Sequence, residues 1–480
     1  MSDMRAVIPQ FLPLIASERE RRNHRRDPVN WVRTRLNEFT WSKQNQILES
    51  VRDNRRTAVH SCHESGKSWL AARIAAWWLD VWPVGEAFVV SSAPTGRQVR
   101  AILWKEIGRA HAKGLRGRMN QTEWFMTGPN GKEELVAFGM KPSDTDPAAF
   151  QGIHARRVLV IFDEACGIPG GSGDNPHSLW EAADSLIAND ESRFLCIGNP
   201  DDPSSEFHEV CKPGSGWNVM GIDAYETPNF TGEKIPLRLR DLLIGKTWVE
   251  EKRHKWGETN PMWIAKVRGQ FPIVSTDGLI PMSWVKAAQD RTLPASDPVE
   301  LGVDVGGGGD KNVVALRRGP HVRIIRRDQV PDTMQSCGNL VHDLSKTKAT
   351  LAKVDEIGIG RGLVDRAKEQ GLPVEGVNVG REPKNKEAFV NIRAEAYWGL
   401  RERFQDGQID IDPNDDDLAA QLVDLKFKRS SSGKILIESK DEIKRRGKGS
   451  PDEADAVMLA FLPSNMYGVQ PVRTVPFTLG

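Results

Sequence analysis

The segment SerCysHisGluSerGlyLysSer, residues 61–68, is the most informative part of the first half of the chain. It follows a short apolar run and opens an apolar, helix-like stretch at 69–78. Apart from Ser61 in place of the first glycine, it fits the phosphate-loop pattern G-x-x-x-x-G-K-[ST]. In that pattern backbone amides cradle phosphate oxygens, the lysine neutralises β- and γ-phosphate charge, and the hydroxyl binds Mg²⁺. The predicted nucleotide-binding residues are Ser61, Cys62, His63, Glu64, Ser65, Gly66, Lys67 and Ser68.

A second apolar run ends in two carboxylates, in ValLeuValIlePheAspGluAla at 158–165. A carboxylate at the end of a buried strand can hold the magnesium water shell, and its neighbour can polarise an attacking water. We assign Asp163 to the first role and Glu164 to the second. A solvated strand end is the alternative for such a pair alone. Downstream of a phosphate loop, the pair predicts an NTP-hydrolysing site with ATP and Mg²⁺.

Three smaller signals accompany these two motifs. Gln44, in the segment before the first predicted strand, is placed to read an adenine edge, or is an ordinary exposed helix glutamine. Asn199, in GlyAsnPro at 198–200, is a candidate γ-phosphate sensor. AlaProThrGlyArgGln at 93–98 is a candidate loop near the phosphates or DNA. Plain turn chemistry is the alternative for both loops.

The alternation of strand-like and helix-like segments predicts an α/β fold. From residue 56 to about 222, short β-branched runs alternate with helical patterns, which is typical of a parallel sheet with flanking helices. After a proline-rich stretch, three strand-like runs at 299–326 with short glycine-rich links predict an antiparallel meander, followed by renewed α/β alternation. The predicted organisation is a helical arm at 1–40, a P-loop ATPase domain at 41–270, a connector at 271–298, a ribonuclease-H-like nuclease domain with a mixed sheet at 299–465, and a loose tail at 466–480.

Separated carboxylates in the second half predict a metal-dependent nuclease site. Asp304 lies on the first strand, Asp355 ends a later strand, and Asp452 opens a final helix with Asp455 one turn further on. Carboxylates brought together from distant segments can hold two Mg²⁺ or Mn²⁺ ions, which activate water for phosphodiester cleavage. Each aspartate alone is more often a cap or a turn residue. Their order along strands and helix matches a ribonuclease-H-like arrangement.

A basic region lies around this predicted cluster. Residues 426–448 hold nine Lys or Arg against Glu438, Asp441 and Glu442, a local charge of +6. A serine-rich turn between two strand-like runs predicts the tip of a hairpin. A basic hairpin suits contact with a phosphate backbone. The alternative is a merely solvated hairpin. The predicted DNA-binding residues are Lys428, Arg429 and Lys434.

Composition excludes several classes of protein. The 480 residues are 39% hydrophobic and 27% charged, with a net charge of +1, so overall charge does not indicate a nucleic-acid binder. Five scattered cysteines and no C-x-x-C pair argue against disulfide scaffolds and structural zinc, and favour a reducing, intracellular setting. The N-terminus has no signal-peptide layout, and the most apolar stretch is too short to span a bilayer. We therefore expect no membrane association.

The combination of motifs resembles the large terminase subunit of tailed bacteriophages over roughly residues 40–462. The most specific points of likeness are PheGlnGlyIleHis (150–154), LeuIlePro (279–281) and SerProAspGluAlaAspAla (450–456). The resemblance implies an ATP-driven motor that packages double-stranded DNA into a preformed capsid, and an endonuclease that cuts concatemeric DNA. It also implies a small terminase subunit and a portal protein as partners, a homo-oligomeric ring during packaging, and the host cell cytoplasm as the location.

The resemblance carries roles over to individual residues. For the ATPase it implies phosphate-loop roles for Lys67 and Ser68, and magnesium-binding and catalytic roles for Asp163 and Glu164. It also implies that Asn199 lies in a segment that couples hydrolysis to movement and that Gln44 belongs to an adenine-reading motif. For the nuclease it implies that the metal-binding carboxylates are Asp304, Asp355 and Asp452. Two departures concern the loop, where Ser61 replaces glycine and His63 stands where many relatives have arginine. An arginine finger from a neighbouring subunit is therefore expected, with Arg156 and Arg157 as candidates. Glu356, next to Asp355, is an alternative metal acid.

Two other functions compete with this interpretation. A DNA helicase or repair ATPase with an attached nuclease is disfavoured, because no second motor domain precedes the nuclease and only about 100 residues separate the phosphate loop from the acidic pair. A non-enzymatic ATP-binding DNA scaffold with a degenerate carboxylate cluster is the other alternative. ATP turnover and plasmid cutting distinguish it from an enzyme.

Overall fold

The structure is a computed structural model that describes residues 18–141, 153, 155–170, 179–273, 277–306, 311–330, 332–430 and 432–463. The chain divides into two compact units, one with residues 1–251 and 263–273, the other with 252–262 and 274–480. No helix among the described residues is long and apolar enough to cross a membrane. Most of the 150–154 motif and the 466–480 tail lie outside the described residues.

The first unit is built on an eight-stranded sheet. Its strands are β1 (Arg56–Ser61), β2 (Ala87–Ser92), β3 (Arg118–Asn120), β4 (Glu123–Thr127), β5 (Glu133–Met140), β6 (Arg157–Asp163), β7 (Arg193–Gly198) and β8 (Asn218–Ile222). Their order is β3-β4-β5-β2-β6-β7-β1-β8. The six strands from β5 to β8 in that order are parallel, and β3 and β4 add an antiparallel edge. The predicted parallel α/β sheet is confirmed.

Helices cover this sheet. They are α1 (residues 18–26), α2 (Pro28–Arg35), α3 (Ser42–Asp53), α4 (Lys67–Asp80), α5 (Gly96–Gln98), α6 (Trp104–His111), α7 (Leu179–Leu186), α8 (Glu206–Cys211), α9 (Pro228–Thr231) and α10 (Leu237–Arg240). Eleven of the fourteen residues of α4 are buried, as expected for a helix that is apolar on all sides. Arg73, within α4, is also buried because it pairs with Glu38 and Glu106. Two further helices, α11 (Lys246–Trp256) and α12 (Pro261–Lys266), follow.

Strand order places the three predicted nucleotide motifs at one edge of the sheet. Strand β7 lies between β1 and β6, with Val59 and Asp163 both in register with Ile197. The carboxyl ends of parallel strands meet at the same edge, where open α/β sheets bind ligands. The phosphate loop after β1, the acids at the end of β6 and Asn199 after β7 therefore come together, although they are far apart in sequence.

The second unit holds a five-stranded mixed sheet and a separate hairpin. The strands are β9 (Val299–Asp304), β10 (Asn312–Arg318), β11 (His321–Asp328), β12 (Leu351–Asp355), β13 (Val374–Val377), β14 (Phe427–Arg429) and β15 (Ile435–Ile437). The order β11-β10-β9-β12-β13 combines an antiparallel meander, β9 to β11, with parallel pairs β9/β12 and β12/β13. Both the meander and the ribonuclease-H-like mixed sheet are as predicted.

The helices of this unit are α13 (Met282–Asp290), α14 (Thr333–Thr347), α15 (Gly360–Glu369), α16 (Ile392–Gln405), α17 (Asp416–Asp424), α18 (Lys440–Arg445) and α19 (Asp452–Phe461). All ten residues of α19 are buried. A side chain at Gly302 would place its Cβ 2.0 Å from the Ala456 carbonyl oxygen, so glycine is required where α19 crosses β9. This close packing brings the start of α19 to the carbonyl end of β9.

The segment predicted as a connector contains regular structure. Residues 282–290 form α13, and Leu279 donates a backbone hydrogen bond to Leu425, 2.8 Å long. Pro281 at the N-cap begins the helix, because a proline is tolerated at a helix start and not within one. One proline of the predicted connector, Pro281, therefore marks a helix boundary. The domain limits predicted from sequence stay predictions.

Candidate active sites

The phosphate loop of the first unit is held in shape by its own contacts. Gly66 adopts a left-handed conformation (φ 80°) and caps α4, which a residue with a side chain adopts only with strain. The Ser61 and Ser65 hydroxyls are 2.5 Å apart, and the Cys62 amide donates to the carbonyl of Ile222. Burial raises the pKa of the Cys62 thiol to about 12, so this thiol stays protonated. Ser61 thus takes the place of glycine without opening the loop.

Lys67 lies at the centre of the first site. Its ammonium is 3.2 Å from Glu164 Oε1 and donates a 2.9 Å hydrogen bond to Asn199 Oδ1. Burial acts to lower the pKa of Lys67, but the carboxylates of Glu164 and Asp163 raise it above its usual value. The Asn199 amide also donates to the Ser61 carbonyl, 2.7 Å away. Asn199 therefore joins the lysine and the start of the phosphate loop.

The two acids after β6 differ in environment. Asp163 is buried and accepts a 3.0 Å hydrogen bond from the Ser68 hydroxyl. Burial, reinforced by the adjacent Glu164, raises the pKa of Asp163 to about 7. Glu164 is more exposed and sits in a left-handed backbone conformation (φ 48°), which is uncommon for a residue with a side chain and frequent at functional sites. Ser68 and Asp163 present adjacent hard oxygen atoms, the donor set that Mg²⁺ prefers.

Gln44 and His63 lie beside this site. A Cβ on Gly66 would be 2.8 Å from Gln44 Nε2, so the Gln44 amide faces the loop. Gln44 Oε1 accepts from the Trp41 amide at 3.3 Å, which fixes the side chain at the start of α3. His63 stacks on Trp248, with ring centroids 6.0 Å apart. Glu64 accepts a backbone hydrogen bond from Ile244 through its carbonyl.

The candidate finger arginines lie at the other end of β6. Arg157 begins the strand and Asp163 ends it, about 20 Å away at the usual rise per residue. Arg157 is buried, pairs with Glu86 and Glu191, and lies over the Trp82 ring. Such a fully paired guanidinium stabilises its own unit, and the structure argues against its role as a finger. Arg156 is exposed at the same end.

Three of the predicted nuclease acids meet in the second unit. Asp304 ends β9, Asp452 begins α19, and Asp455 lies one turn further along that helix. All three are buried, at 2%, 7% and 4% exposure. Burial, reinforced by the other acids and opposed by Lys440, raises the pKa of Asp304 well above its usual value. Asp355 ends the neighbouring strand β12, and burial raises its pKa as well.

Lys440 occupies the centre of this group, and sequence reasoning missed it. Its ammonium is 3.2 Å from Asp304 Oδ2, 3.5 Å from Asp452 Oδ1 and 3.2 Å from Asp455 Oδ2. Burial acts to lower the pKa of Lys440, but these three carboxylates raise it well above its usual value. No motif marks this lysine; the available signal was its place in a basic run next to the predicted cluster.

Two further residues that sequence reasoning missed hold Asp455. The Tyr397 hydroxyl donates to Asp455 Oδ1 at 2.6 Å, and the Arg393 guanidinium lies 3.2 Å from the same oxygen. Burial acts to raise the pKa of Asp455, but Arg393, Lys440 and Tyr397 lower it below its usual value. Asp455 is therefore oriented by α16, whereas Asp452 Oδ1 has no hydrogen-bond partner within the described residues.

Asp355 and Glu356 have different partners in the structure. Glu356 lies 3.4 Å from Arg381, and its carboxylate faces Gly376. Asp355 instead interacts electrostatically with Lys440 and Asp455. The structure thus places Asp355 with the cluster and directs Glu356 to another side, as expected from the alternation of side chains along a strand.

The metal-binding capacity of the second site depends on Lys440. Among the described residues, no three His, Cys, Asp or Glu side chains form a ready-made metal site. The acids are instead arranged around an ammonium. Their oxygen-rich set, in which Asp452 Oδ1 and Asp455 Oδ2 lie 3.5 Å and 3.2 Å from the Lys440 ammonium, still matches the ligands preferred by Mg²⁺ and Mn²⁺. The residues fit such ions if Lys440 moves aside.

The predicted hairpin forms, but many of its cations are paired. Lys428 binds Glu442, and Arg429 donates to the Gly433 carbonyl. The local +6 overstates the charge available to a ligand, because other cations in the region also have acidic partners: Lys426 with Asp277, Lys440 with the acid cluster, Arg446 with Glu438 and Asp424, and Lys448 with Asp424. Of the three predicted DNA-binding side chains, Arg429 and Lys434 have no ion pair among the described residues.

The two units together define the class: a phosphate-loop α/β unit followed by a ribonuclease-H-like unit with a carboxylate cluster. No protein-family model matches the chain. A curated relative, the probable terminase large subunit of Enterobacteria phage P7, is 24% identical over 469 residues, covering 88% of each chain. The predicted resemblance to phage large terminase subunits, and with it the prediction of an enzyme of this class, is confirmed.

Solved structures of the same class are also similar to the chain. The nuclease domain of the large terminase subunit of bacterial virus Sf6 is 22% identical, covers 39% of this chain and 99% of its own, and has a TM-score of 0.34. The large terminase of a thermophilic bacteriophage is 12% identical, covers 87% of this chain and 97% of its own, and has a TM-score of 0.40. This thermophilic phage protein has also been solved with ATP-gamma-S.

Proposed function

We propose that this protein is the motor subunit of a viral DNA-packaging machine, which hydrolyses ATP to translocate double-stranded DNA into a procapsid and cuts concatemeric DNA. The observation that carries the proposal is the presence in one chain of two assembled sites, the Lys67–Glu164–Asn199 group and the acid cluster around Lys440. Similarity to a terminase subunit over 88% of both chains supports it.

In the proposed ATPase reaction, the amides of residues 62–67 and Lys67 bind the phosphates, and Gln44 reads the adenine. Ser68 and Asp163 would hold Mg²⁺, which neutralises charge on the transferred phosphoryl group. Glu164 leaves its pairing with Lys67 when phosphate takes that place, and its carboxylate accepts a proton from the attacking water. Asn199, bonded to Lys67 and to the loop, senses the γ-phosphate.

In the proposed nuclease reaction, Asp304, Asp355 and Asp452 would hold Mg²⁺ or Mn²⁺, with Asp455 completing the set. When bound, two such ions activate a water and stabilise the leaving oxygen of a phosphodiester. Tyr397 and Arg393 keep Asp455 oriented, and Lys440 balances the acids until metal and DNA are present. Lys428, Arg429 and Lys434 contact the DNA backbone.

The proposed partners follow from the packaging role. They are double-stranded DNA, a small terminase subunit, the portal protein of the procapsid and further copies of this chain in a ring, within the host cell cytoplasm. Because Arg157 is fully paired, the finger expected from a neighbouring copy is an arginine other than Arg157, and Arg156 remains a candidate.

The experiment that tests this function measures three activities of the full chain: ATP turnover, plasmid cutting with Mg²⁺ or Mn²⁺, and DNA uptake by procapsids. ATP turnover and chelator-sensitive cutting with no uptake would favour a helicase or repair ATPase with an attached nuclease. Neither turnover nor cutting under any metal would favour a non-enzymatic DNA scaffold. All three activities together support the packaging motor.

A further inference from the structure

A cavity of about 250 Å³ opens beside the acid cluster of the second unit. Asp452 forms part of its wall, together with the end of α11, one face of α17 and the glycine-rich loop before α19. Its volume is close to the lower limit of small-molecule sites, which suits a group of the size of one nucleotide. The cavity thus shares Asp452 with the acid cluster, whereas Asp304, Asp355 and Asp455 do not line it.

Hydrogen bonds among the lining residues hold the wall of this cavity in place. Asp417 accepts hydrogen bonds from Lys255 at 2.8 Å and from the Trp256 indole at 3.2 Å. The Lys448 ammonium donates to the Trp256 carbonyl, and the Asn260 amide donates to the Ala420 carbonyl at 3.1 Å. These bonds fix side chains from four segments around one space. A preformed cavity binds its ligand at a lower ordering cost than a loose one.

Two polar side chains at the cavity lack a partner among the described residues. Lys311 forms no ion pair there, and the Ser450 hydroxyl is buried without a hydrogen-bond partner. A buried polar group without a partner costs about 1–3 kcal/mol, so a ligand that satisfies it is favoured. An ammonium and a hydroxyl together suit a phosphate group.

We propose that this cavity binds one nucleotide of the DNA strand next to the phosphodiester that the acid cluster cuts, with its phosphate at Lys311 and Ser450. The inference rests on the proposed nuclease function. The paired acids and bases of the wall leave the lining nearly neutral, which suits a whole nucleotide with sugar and base better than a bare anion. Lys311 thus positions the strand, while the acids act on the bond.

The first test replaces Lys311 in the full chain. Single-turnover cleavage of a 20-base-pair duplex with Mn²⁺ is measured over a range of DNA concentrations. Lys311→Ala should raise the half-saturating DNA concentration about 5- to 50-fold and leave the maximal rate within about threefold. Lys311→Arg should restore most of the loss. Lys346→Ala is the matched control, because this exposed lysine of α14 lies outside the cavity lining.

A second variant fills the cavity. A Cβ added to Gly449 meets nothing within 4 Å, so Gly449→Phe introduces a ring at the wall without a backbone clash. It should weaken DNA binding and leave Mn²⁺ binding, measured by calorimetry, unchanged. Gly338→Phe, at an exposed position of α14, is its control, since a Cβ there also meets nothing within 4 Å. Both variants are compared by circular dichroism before assay.

The outcomes distinguish a failure of the proposed nucleotide site from a failure of the proposed nuclease function. Parental DNA dependence in both Lys311→Ala and Gly449→Phe overturns the nucleotide site, while the nuclease stands. A shift in the Mn²⁺ dependence of Lys311→Ala with no shift in its DNA dependence also overturns it, because the cavity then serves the metal. Absence of metal-dependent cutting by the parental chain at any DNA concentration overturns the nuclease function itself.

Discussion

The Lys440 ammonium lies 3.2 Å from Asp304 Oδ2, although the two residues are 136 positions apart in sequence. The same ammonium contacts Asp452 and Asp455, so one cation touches three buried acids, and Arg393 pairs with Asp455 as well. Buried carboxylates repel each other and lose hydration, and an internal cation offsets both effects. Metal ions bound by these acids would perform the same balancing role, and Lys440 therefore competes with them.

Replacing Lys440 with methionine should expose this competition. Asp304 and Asp452 then lose the cation beside them, while Asp455 keeps Arg393, and we expect a loss on the order of 2 kcal/mol in the free energy of unfolding without metal. Added Mn²⁺ should raise the melting temperature more in Lys440→Met than in the parental chain. Calorimetry with and without Mn²⁺ measures both shifts, with Lys346→Met as control. Equal melting temperatures and equal responses to Mn²⁺ would remove Lys440 from the site.

Glu164→Ala should leave ATP binding largely intact and remove most of the hydrolysis. Lys67 and Ser68 still hold the phosphates, whereas loss of a positioned base costs about 10²–10⁴-fold in rate. Lys67→Ala should weaken ATP binding as well. Steady-state turnover and binding of a fluorescent ATP analogue distinguish the two variants. A Glu164→Ala variant with parental turnover would show that another group activates the water.

Asp304→Asn should abolish DNA cutting and spare ATP hydrolysis. The substitution keeps the shape of the side chain but replaces a charged ligand with a neutral amide, so metal occupancy falls. Plasmid cutting across a range of Mg²⁺ and Mn²⁺ concentrations measures the loss, and ATP turnover of the same preparation is the internal control. Cutting at the parental rate at every metal concentration is incompatible with Asp304 as a ligand.

Replacing Lys428, Arg429 and Lys434 together with alanine should weaken DNA binding with little sequence preference. Removing one lysine or arginine from a DNA phosphate flattens the log–log salt dependence by about 0.9. Because Lys428 is already paired with Glu442, we expect a change of about 2 rather than 3. Binding of a labelled duplex at several salt concentrations gives the slope. Lys428→Ala alone serves as the comparison and should change the salt-dependence slope less than the triple variant does. An unchanged slope in the triple variant would show that the hairpin is only solvated and does not contact DNA.

Asp417 should contribute to acid sensitivity of the second unit. Burial alone would raise the pKa of Asp417, but the hydrogen bonds of Lys252 and Lys255 lower it to about 2, below the usual 3.8. A lowered pKa stabilises the fold above pH 4, and this contribution, on the order of 2 kcal/mol, is lost as the pH falls from about 4 to 2. Urea unfolding of Asp417→Asn and the parental chain should therefore differ at pH 6 and converge near pH 2. A difference that is independent of pH would contradict the assignment.

Much of the fold was predictable because it is encoded in local patterns. Apolar runs mark β1, β2, β6 and β7, and short glycine-rich links mark the meander of β9 to β11, since strand formation depends on neighbouring residues. The phosphate loop at 61–68 and the Asp163–Glu164 pair are contiguous motifs with a fixed chemistry. Their meeting at one sheet edge follows from the rule that parallel strands share a carboxyl end.

The side-chain partners within the sites depend on packing and have no local signature. The basic run around Lys440 does not single out this lysine as the one that enters the acid cluster, and nothing near Tyr397 points to Asp455. The pairing of Arg157 with Glu86 and Glu191 likewise depends on the folded chain. The contacts of Lys440 with Asp304, of Tyr397 with Asp455 and of Arg157 with its two acids each join segments more than 30 residues apart. Such pairs form because a buried charge loses its hydration and is stabilised by the nearest opposite charge. The packing of helices and strands decides which charge that is.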